Sequence, residues 1–192
     1  MRLILICIAL TGALVSTALA HTGVGQANSF TSGIAHPLSG ADHILVMITV
    51  GLWGALAGGR ATWVWPMAFV GTMLAGFAAA TFGLQIPFVE PTIWSSIIIL
   101  GLLVALAVKA PVWAGAVITG VFAFFHGHVH GTEVTAVGLV PYAAGFTLAT
   151  ASLHAVGIGL GLSAEGAIRK LALRAMGGLA ALGGILLIAG LT

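Results

Sequence analysis

Charge is what this sequence has least of. Four carboxylates and six Lys or Arg side chains are all the formal charge in 192 residues, 5% of the chain. A soluble domain carries about 25% charged residues, so a water-facing globular surface is excluded. The hydrophobic share of 60% and mean hydropathy of +1.19 identify an integral membrane protein instead. The net charge of +2 and pI near 9.2 do not imply a nucleic-acid partner, because the basic residues are scattered. Cysteine is nearly absent as well. The single Cys7 lies in an N-terminal stretch with the features of a signal peptide, so the mature chain is expected to have neither disulfides nor thiolate ligands. No G-x-x-x-x-G-K-[ST] pattern occurs and there is no room for a nucleotide domain. ATP-driven chemistry is therefore not expected.

The first twenty residues have the parts of a secretory signal: Arg2 as the positive n-region, Leu3 to Val15 as a short apolar core, and Ala18-Leu19-Ala20 as a small-x-small cleavage box. The expected domains are a signal peptide over 1–20 and one six-span transmembrane unit over 21–192. Cleavage makes His21 the mature N-terminus, with an α-amine and an imidazole that can chelate together. From His21 to Gly33 the chain reads as a polar external tail.

Six apolar runs follow, at about Leu38–Gly58, Trp63–Phe82, Thr92–Val108, Val112–His130, Leu139–Leu162 and Leu171–Leu191. Each falls in the range of roughly 17–25 residues that spans a bilayer as a helix. The expected fold is an all-α six-helix membrane bundle. With the mature N-terminus outside, the inner loops carry Arg60, Lys109, Arg169, Lys170 and Arg174, and the outer segments carry no Lys or Arg, which satisfies the positive-inside rule. Both mature termini are then periplasmic. Gly54-x-x-x-Gly58, Gly157-x-x-x-Gly161 and the weaker Gly71-x-x-x-Ala75 are spaced for close helix contact. A tight bundle is expected, and its surface is compatible with an oligomer.

Ionisable groups inside a span are costly and mark function. Two polar knots qualify. His36-Pro37-Leu38-Ser39-Gly40-Ala41-Asp42-His43 opens the first span, and Phe125-His126-Gly127-His128-Val129-His130-Gly131-Thr132-Glu133 closes the fourth. Counting at 1.5 Å per residue puts both at a similar depth, about one turn below the outer surface. His126, His130 and Glu133 are spaced i, i+4, i+7 and share a helix face, whereas His128 points elsewhere. Met47 follows His43 at i+4. Pro37 and Gly40 make the start of span one irregular, which is tolerated where backbone lines a cavity. Nitrogen and oxygen ligands without thiolate suit Ni²⁺, Co²⁺ or Zn²⁺ better than Cu⁺. Glu90, before Pro91, either caps its helix or completes the mouth of the site. His154 lies about 20 Å into span five from Pro141, in the inner half, as a lower ligand, a proton acceptor or an interhelical hydrogen bonder. Glu165 and Arg169 form an i, i+4 pair in an inner loop.

His36-Pro-x-x-Gly-x-Asp42-His43 together with Phe125-His126-Gly-x-x-His130-Gly-x-Glu133 resembles the HupE/UreJ family of nickel/cobalt permeases, over essentially the whole mature chain. The resemblance implies uptake of Ni²⁺ or Co²⁺ across a bacterial inner membrane, often to supply hydrogenase or urease maturation. It also implies that His36, Asp42, His43, His126, His130 and Glu133 handle the metal; the placement of the remaining polar groups adds Glu90, His21, Met47, His128 and His154 as accessory positions. The ion is then substrate, no resident cofactor is expected, and the protein is not an enzyme. Its partners are the divalent ion and the lipid bilayer, with no nucleic acid and no nucleotide. Two rivals from other classes are a b-type haem electron carrier using membrane His pairs as axial ligands and a membrane zinc hydrolase with an open water position. The haem reading leaves Asp42 and Glu133 unexplained, and the hydrolase reading predicts hydrolysis of a lipid or peptide by the purified protein.

Overall fold

The computed structural model describes residues 29–163 and 166–190. The expected signal peptide, Cys7, His21 and Glu165 lie outside the described residues, and so does the Glu165–Arg169 pairing. Within them the chain is all-helical. Seven α-helices follow one another: α1 Phe30–Ser39, α2 Ala41–Ala57, α3 Ala61–Thr81, α4 Val89–Ala105, α5 Val112–Glu133, α6 Leu139–Leu162 and α7 Ala167–Ile188, with a 3-10 turn at Ala136–Gly138. Four helices are long and apolar enough to cross a membrane: α3, α5, α6 and, over Lys170–Ile188, α7. The count becomes five if α1 and α2 form one span, bent by 84°. Helix α4 is apolar but has 17 residues.

The first expected span differs most from the structure. The polar tail ends at Ser29, where a helix starts that the sequence reading placed in solvent. Ser29 accepts from the Ser32 N–H, and Ser32 returns the favour to the Ser29 N–H, a reciprocal N-cap. The helix lasts ten residues. Pro37 has no N–H to donate, Gly40 takes an extended conformation (φ −96°, ψ 121°), and the Ser39 hydroxyl donates to the freed His36 carbonyl. The chain then turns and restarts as α2.

Helix contacts are made where glycine removes the side chain. A Cβ on Gly33 would collide with the Tyr142 carbonyl, and one on Gly145 with that of Phe30, so α1 crosses α6 backbone to backbone. Gly51 and Gly157 bring α2 and α6 together; Gly76, Gly127 and Gly131 do so for α3 and α5; Gly101 and Gly177 for α4 and α7. Such close approach is the main source of helix affinity in lipid. Of the glycine pairs expected from spacing, Gly157 and Gly161 both meet α2, and Gly54 meets the start of α3. Gly58 instead makes the turn after α2 with φ +76°, a conformation that suits glycine. A Cβ on Gly71 would meet no neighbouring helix within 4 Å, so Gly71 is not a close helix contact; Gly76 takes that role on α3.

The residue pairing shows that α2 and α6 run parallel, as do α3 and α5, whereas α4 and α7 are antiparallel. Alternate helices therefore start at opposite ends of the bundle. At one end the Trp53 indole donates to Val108 O at 2.9 Å, the Trp65 indole to Val112 O at 2.8 Å, and Arg174 Nε to Ala105 O at 2.7 Å. Exposed Arg60, Lys109 and Lys170 join Arg174 at this basic end. The His36, His43 and Glu133 positions lie at the other.

The bundle is apolar outside and polar within. Trp63, Met67, Trp113, Val117, Leu148, Leu179 and Ile185 are exposed, while Asp42, His43, Ser96, Thr119, His126, His130, Thr150 and His154 are buried. A soluble protein inverts this pattern. Lipid provides the outer solvent, and the chain is a multi-pass membrane protein.

Candidate metal centre

Three helices bring their polar residues to one point. His36 comes from the last turn of α1, His43 from the first turn of α2, and His130 from the last turn of α5. One nitrogen from each lies within 4.8 Å of the others. The ring centroids are 4.4 Å apart for His36 and His130, 4.7 Å for His43 and His130, and 5.6 Å for His36 and His43. His43 and His130 are fully buried; His36 and Glu133 are half-buried and form the accessible side of the cluster.

Each of the two buried imidazoles rests on a carboxylate. His43 Nδ1–H donates to Asp42 Oδ1 at 2.7 Å, and the His43 backbone N–H donates to the same oxygen at 2.9 Å. His130 Nδ1–H donates to Glu133 Oε2 at 3.2 Å, with His36 Nε2 3.9 Å from that oxygen. A carboxylate behind a histidine fixes its tautomer and raises its basicity, the usual support of a metal-binding imidazole. With Nδ1 protonated on both rings, the lone pairs are at Nε2. These two Nε2 atoms face each other at hydrogen-bonding distance. Two lone pairs repel unless a cation, either a proton or a metal ion, lies between them.

Glu133 belongs to the last turn of α5, three residues beyond the His130 end expected for the fourth apolar run. The helix runs three residues further than His130, so the i, i+3 spacing carries the carboxylate back onto the ring.

The other expected positions lie elsewhere. His126 is one turn below His130, with its ring 5.5 Å from His43, and its Nε2 is 3.1 Å from Ser96 Oγ. His128 Nε2 donates to Leu84 O at 2.7 Å, tying α5 to the loop before α4 and away from the cluster. Glu90 is exposed in the first turn of α4, where a carboxylate complements the helix dipole. Met47 packs its side chain in the apolar core, and its backbone carbonyl accepts from His154 Nδ1–H at 2.7 Å. This bond ties His154, on α6 beyond its crossing with α1, to α2 one turn further along than His43.

Sequence reasoning missed three neighbours. Tyr142, the only tyrosine, is fully buried with its ring 6.2 Å from His36, and its hydroxyl has no hydrogen-bond partner. Ser96 holds His126. Phe69 packs against both His126 and His154, at 5.9 and 5.0 Å between centroids. A hydroxyl within an apolar run was a usable signal for Ser96; nothing marked Phe69 among nine phenylalanines.

Comparison with known proteins agrees with the motif reading. The chain is 44% identical over 179 residues to Protein HupE of Rhizobium leguminosarum bv. viciae, covering 93% of each chain. No solved structure is significantly similar. The profile of the HupE / UreJ protein family matches residues 8–187, and with it this chain belongs to the HupE/UreJ family.

Proposed function

We propose that the protein is a permease that moves Ni²⁺, or Co²⁺, inward across the bacterial inner membrane, for insertion into metalloenzymes such as hydrogenase or urease. The observation that carries this reading is the pair of buried imidazoles, each backed by a carboxylate, whose Nε2 lone pairs converge beside His36. Three imidazole nitrogens supported by two carboxylates form a borderline site suited to these ions. Two carboxylates also offset the charge of a divalent ion. His36 and Glu133 form the entrance, and Glu90 and His21 serve to recruit the ion there. The ion is substrate, not cofactor, and the protein performs transport rather than catalysis.

Topology follows the charge. In this reading α1 and α2 together form the first of six spans, α4 crosses despite its length, and residues 1–20 are removed as a signal peptide, leaving both termini periplasmic. Arg60, Lys109, Lys170 and Arg174 collect at the end opposite the histidines, so the positive-inside rule directs the site outward. A divalent ion entering through a potential of 100 mV gains about 4.6 kcal/mol, twice the value per unit charge. This inward drive requires no nucleotide. Haem is disfavoured, because the direct contact of His43 with His130 leaves no room for a porphyrin between them.

The test is uptake of ⁶³Ni²⁺ by cells with and without the protein, competed by Co²⁺, Zn²⁺ and Mg²⁺. Uptake dependent on the protein and suppressed by Co²⁺ but not by Mg²⁺ is the expected result. Equal uptake by both cell types would sink the reading.

A further inference from the structure

Tyr142 is the only tyrosine of the chain, and the packing of its ring does not explain its hydroxyl. The ring stacks on Phe77 of α3 and on Phe146 of α6, with centroids 6.1 and 6.0 Å away and planes 14° and 21° apart. Phenylalanine would fill that slot equally well. The hydroxyl is buried and has no hydrogen-bond partner among the described residues. Buried Ser96 and Thr119 donate theirs to carbonyls of their own helices. A phenol hydroxyl is held too far from its own backbone to do so, and a buried one without a partner is destabilising.

The ring lies against the accessible side of the metal centre. Its centroid is 6.2 Å from that of His36, and the side chain is close enough to Glu133 to feel the charge of the carboxylate. Phe146, one turn further along α6, meets His130 edge-on at 4.7 Å. The same helix thus sets a purely apolar ring against the buried imidazole and a hydroxyl-bearing ring beside the half-buried pair His36 and Glu133, where water has access. Selectivity among divalent ions at such a site comes from geometry and ligand type rather than raw affinity. Three imidazoles leave a tetrahedral ion such as Zn²⁺ one further position, which a carboxylate closes. Ni²⁺ and Co²⁺ readily take an octahedral set, and so retain water on this side.

We propose that the Tyr142 hydroxyl is a specificity-determining group of the metal centre: it hydrogen-bonds a water that the transported ion retains beside His36 and Glu133, and so favours Ni²⁺ and Co²⁺ over Zn²⁺. The proposal rests on the transport reading and deepens it. The ion-bound water donates to Tyr142 Oη, a hydrogen bond strengthened by the charge on the ion. That bond forms only with an ion that brings water, so binding such an ion removes the penalty of the lone hydroxyl. A closed tetrahedral set brings none, and the hydroxyl stays unpaired.

Tyr142→Phe removes the hydroxyl and keeps the ring. Full-length protein in nanodiscs is titrated with Co²⁺ and with Zn²⁺, and its thermal midpoint is measured without ion. Co²⁺ affinity is expected to fall about tenfold, as loss of a hydrogen bond to a charged group implies, with Zn²⁺ affinity within about twofold of wild type. The ion-free midpoint is expected to stay level or rise, because an unpaired buried hydroxyl has been removed. Equal loss of both affinities overturns the proposal; with a lower ion-free midpoint, it is the pattern of a packing role. Unchanged Co²⁺ affinity overturns it too. A second readout needs no substitution: with no other tyrosine in the chain, meta-fluorotyrosine supplied during expression labels this position alone. Its ¹⁹F signal is expected to shift on addition of Co²⁺ to the otherwise wild-type protein and to stay in place in His130→Ala. Co²⁺ binding that leaves the signal unmoved overturns the proposal, even should Tyr142→Phe fail to insert. If His130→Ala binds Co²⁺ as tightly as wild type, the cluster and the transport reading fail first, and the role of Tyr142 falls with them.

Discussion

His43 meets His130 Nε2 to Nε2, although 87 residues separate them and they come from helices whose main packing partners are different. Helix α2 packs along α6, and α5 along α3, so the two imidazoles meet at the junction of two helix pairs. Their separation depends on how the pairs sit against each other, and the carboxylate behind each ring fixes its direction.

That dependence gives the first prediction. Asp42→Asn and Glu133→Gln keep shape and polarity and remove one negative charge each. Loss of such a supporting group typically costs about 10–100-fold in metal affinity or activity. Uptake per unit of inserted protein is expected to fall by that factor in each variant, with membrane levels nearly unchanged. Normal transport by Asp42→Asn would sink the site.

His128 and His130 are two residues apart and have unlike surroundings. His130→Ala removes a nitrogen donor from the cluster and should abolish most uptake. His128→Ala breaks the bond to Leu84 O, worth about 0.5–1.5 kcal/mol. It should lower the thermal midpoint in detergent while uptake per inserted protein stays near wild type. Equal loss of transport in both variants would contradict this division.

These two histidines also show how far the sequence was legible. Helical periodicity put His126, His130 and Glu133 on one face and His128 off it, because α5 is regular through that stretch. The first motif was less readable, because its geometry is not periodic. Ser29-x-x-Ser32 lacks the usual acidic third residue of a capping box, so α1 is not legible and His36 reads only as the opening of the first span. The bend at Gly40, set by Pro37 and one extended residue, decides where His36 goes, and spacing does not encode it.

Gly127 precedes His128 on α5 and lies directly against Met73. A Cβ there would collide with the Met73 carbonyl. Gly127→Ala is expected to push α5 from α3 and to destabilise the bundle by about 1–3 kcal/mol, as overpacking does. Because His126 and His130 move with α5, Co²⁺ affinity should fall together with the thermal midpoint. Gly71→Ala, which has open space, should change neither measurably. A similar loss in both variants would refute the contact.

Orientation can be checked with reporters. A phosphatase inserted in the Gly83–Pro87 loop, at the histidine end, is expected to be active, and one inserted beside Lys109, at the basic end, inactive. Reversed activities would place the histidines on the cytoplasmic side and turn uptake into export.

N-terminal sequencing of protein purified from membranes tests the leader. The mature chain is expected to begin at His21. A start at Met1 would remove any role for a His21 amine.

The break at Gly40 has an electrostatic consequence for the kind of ion this site accepts. Helix α1 ends at Ser39 and α5 at Glu133, so both point their carbonyl ends toward the histidines. A helix C-terminus acts as about −0.5 of a charge. Together with Asp42 and Glu133 the surroundings come to roughly −3, before the N-terminus of α2 returns about +0.5. A monovalent ion leaves most of that field unbalanced, and a divalent ion neutralises the larger part of it. Valence is thereby sorted by backbone geometry as well as by side chains, before the identity of the metal matters.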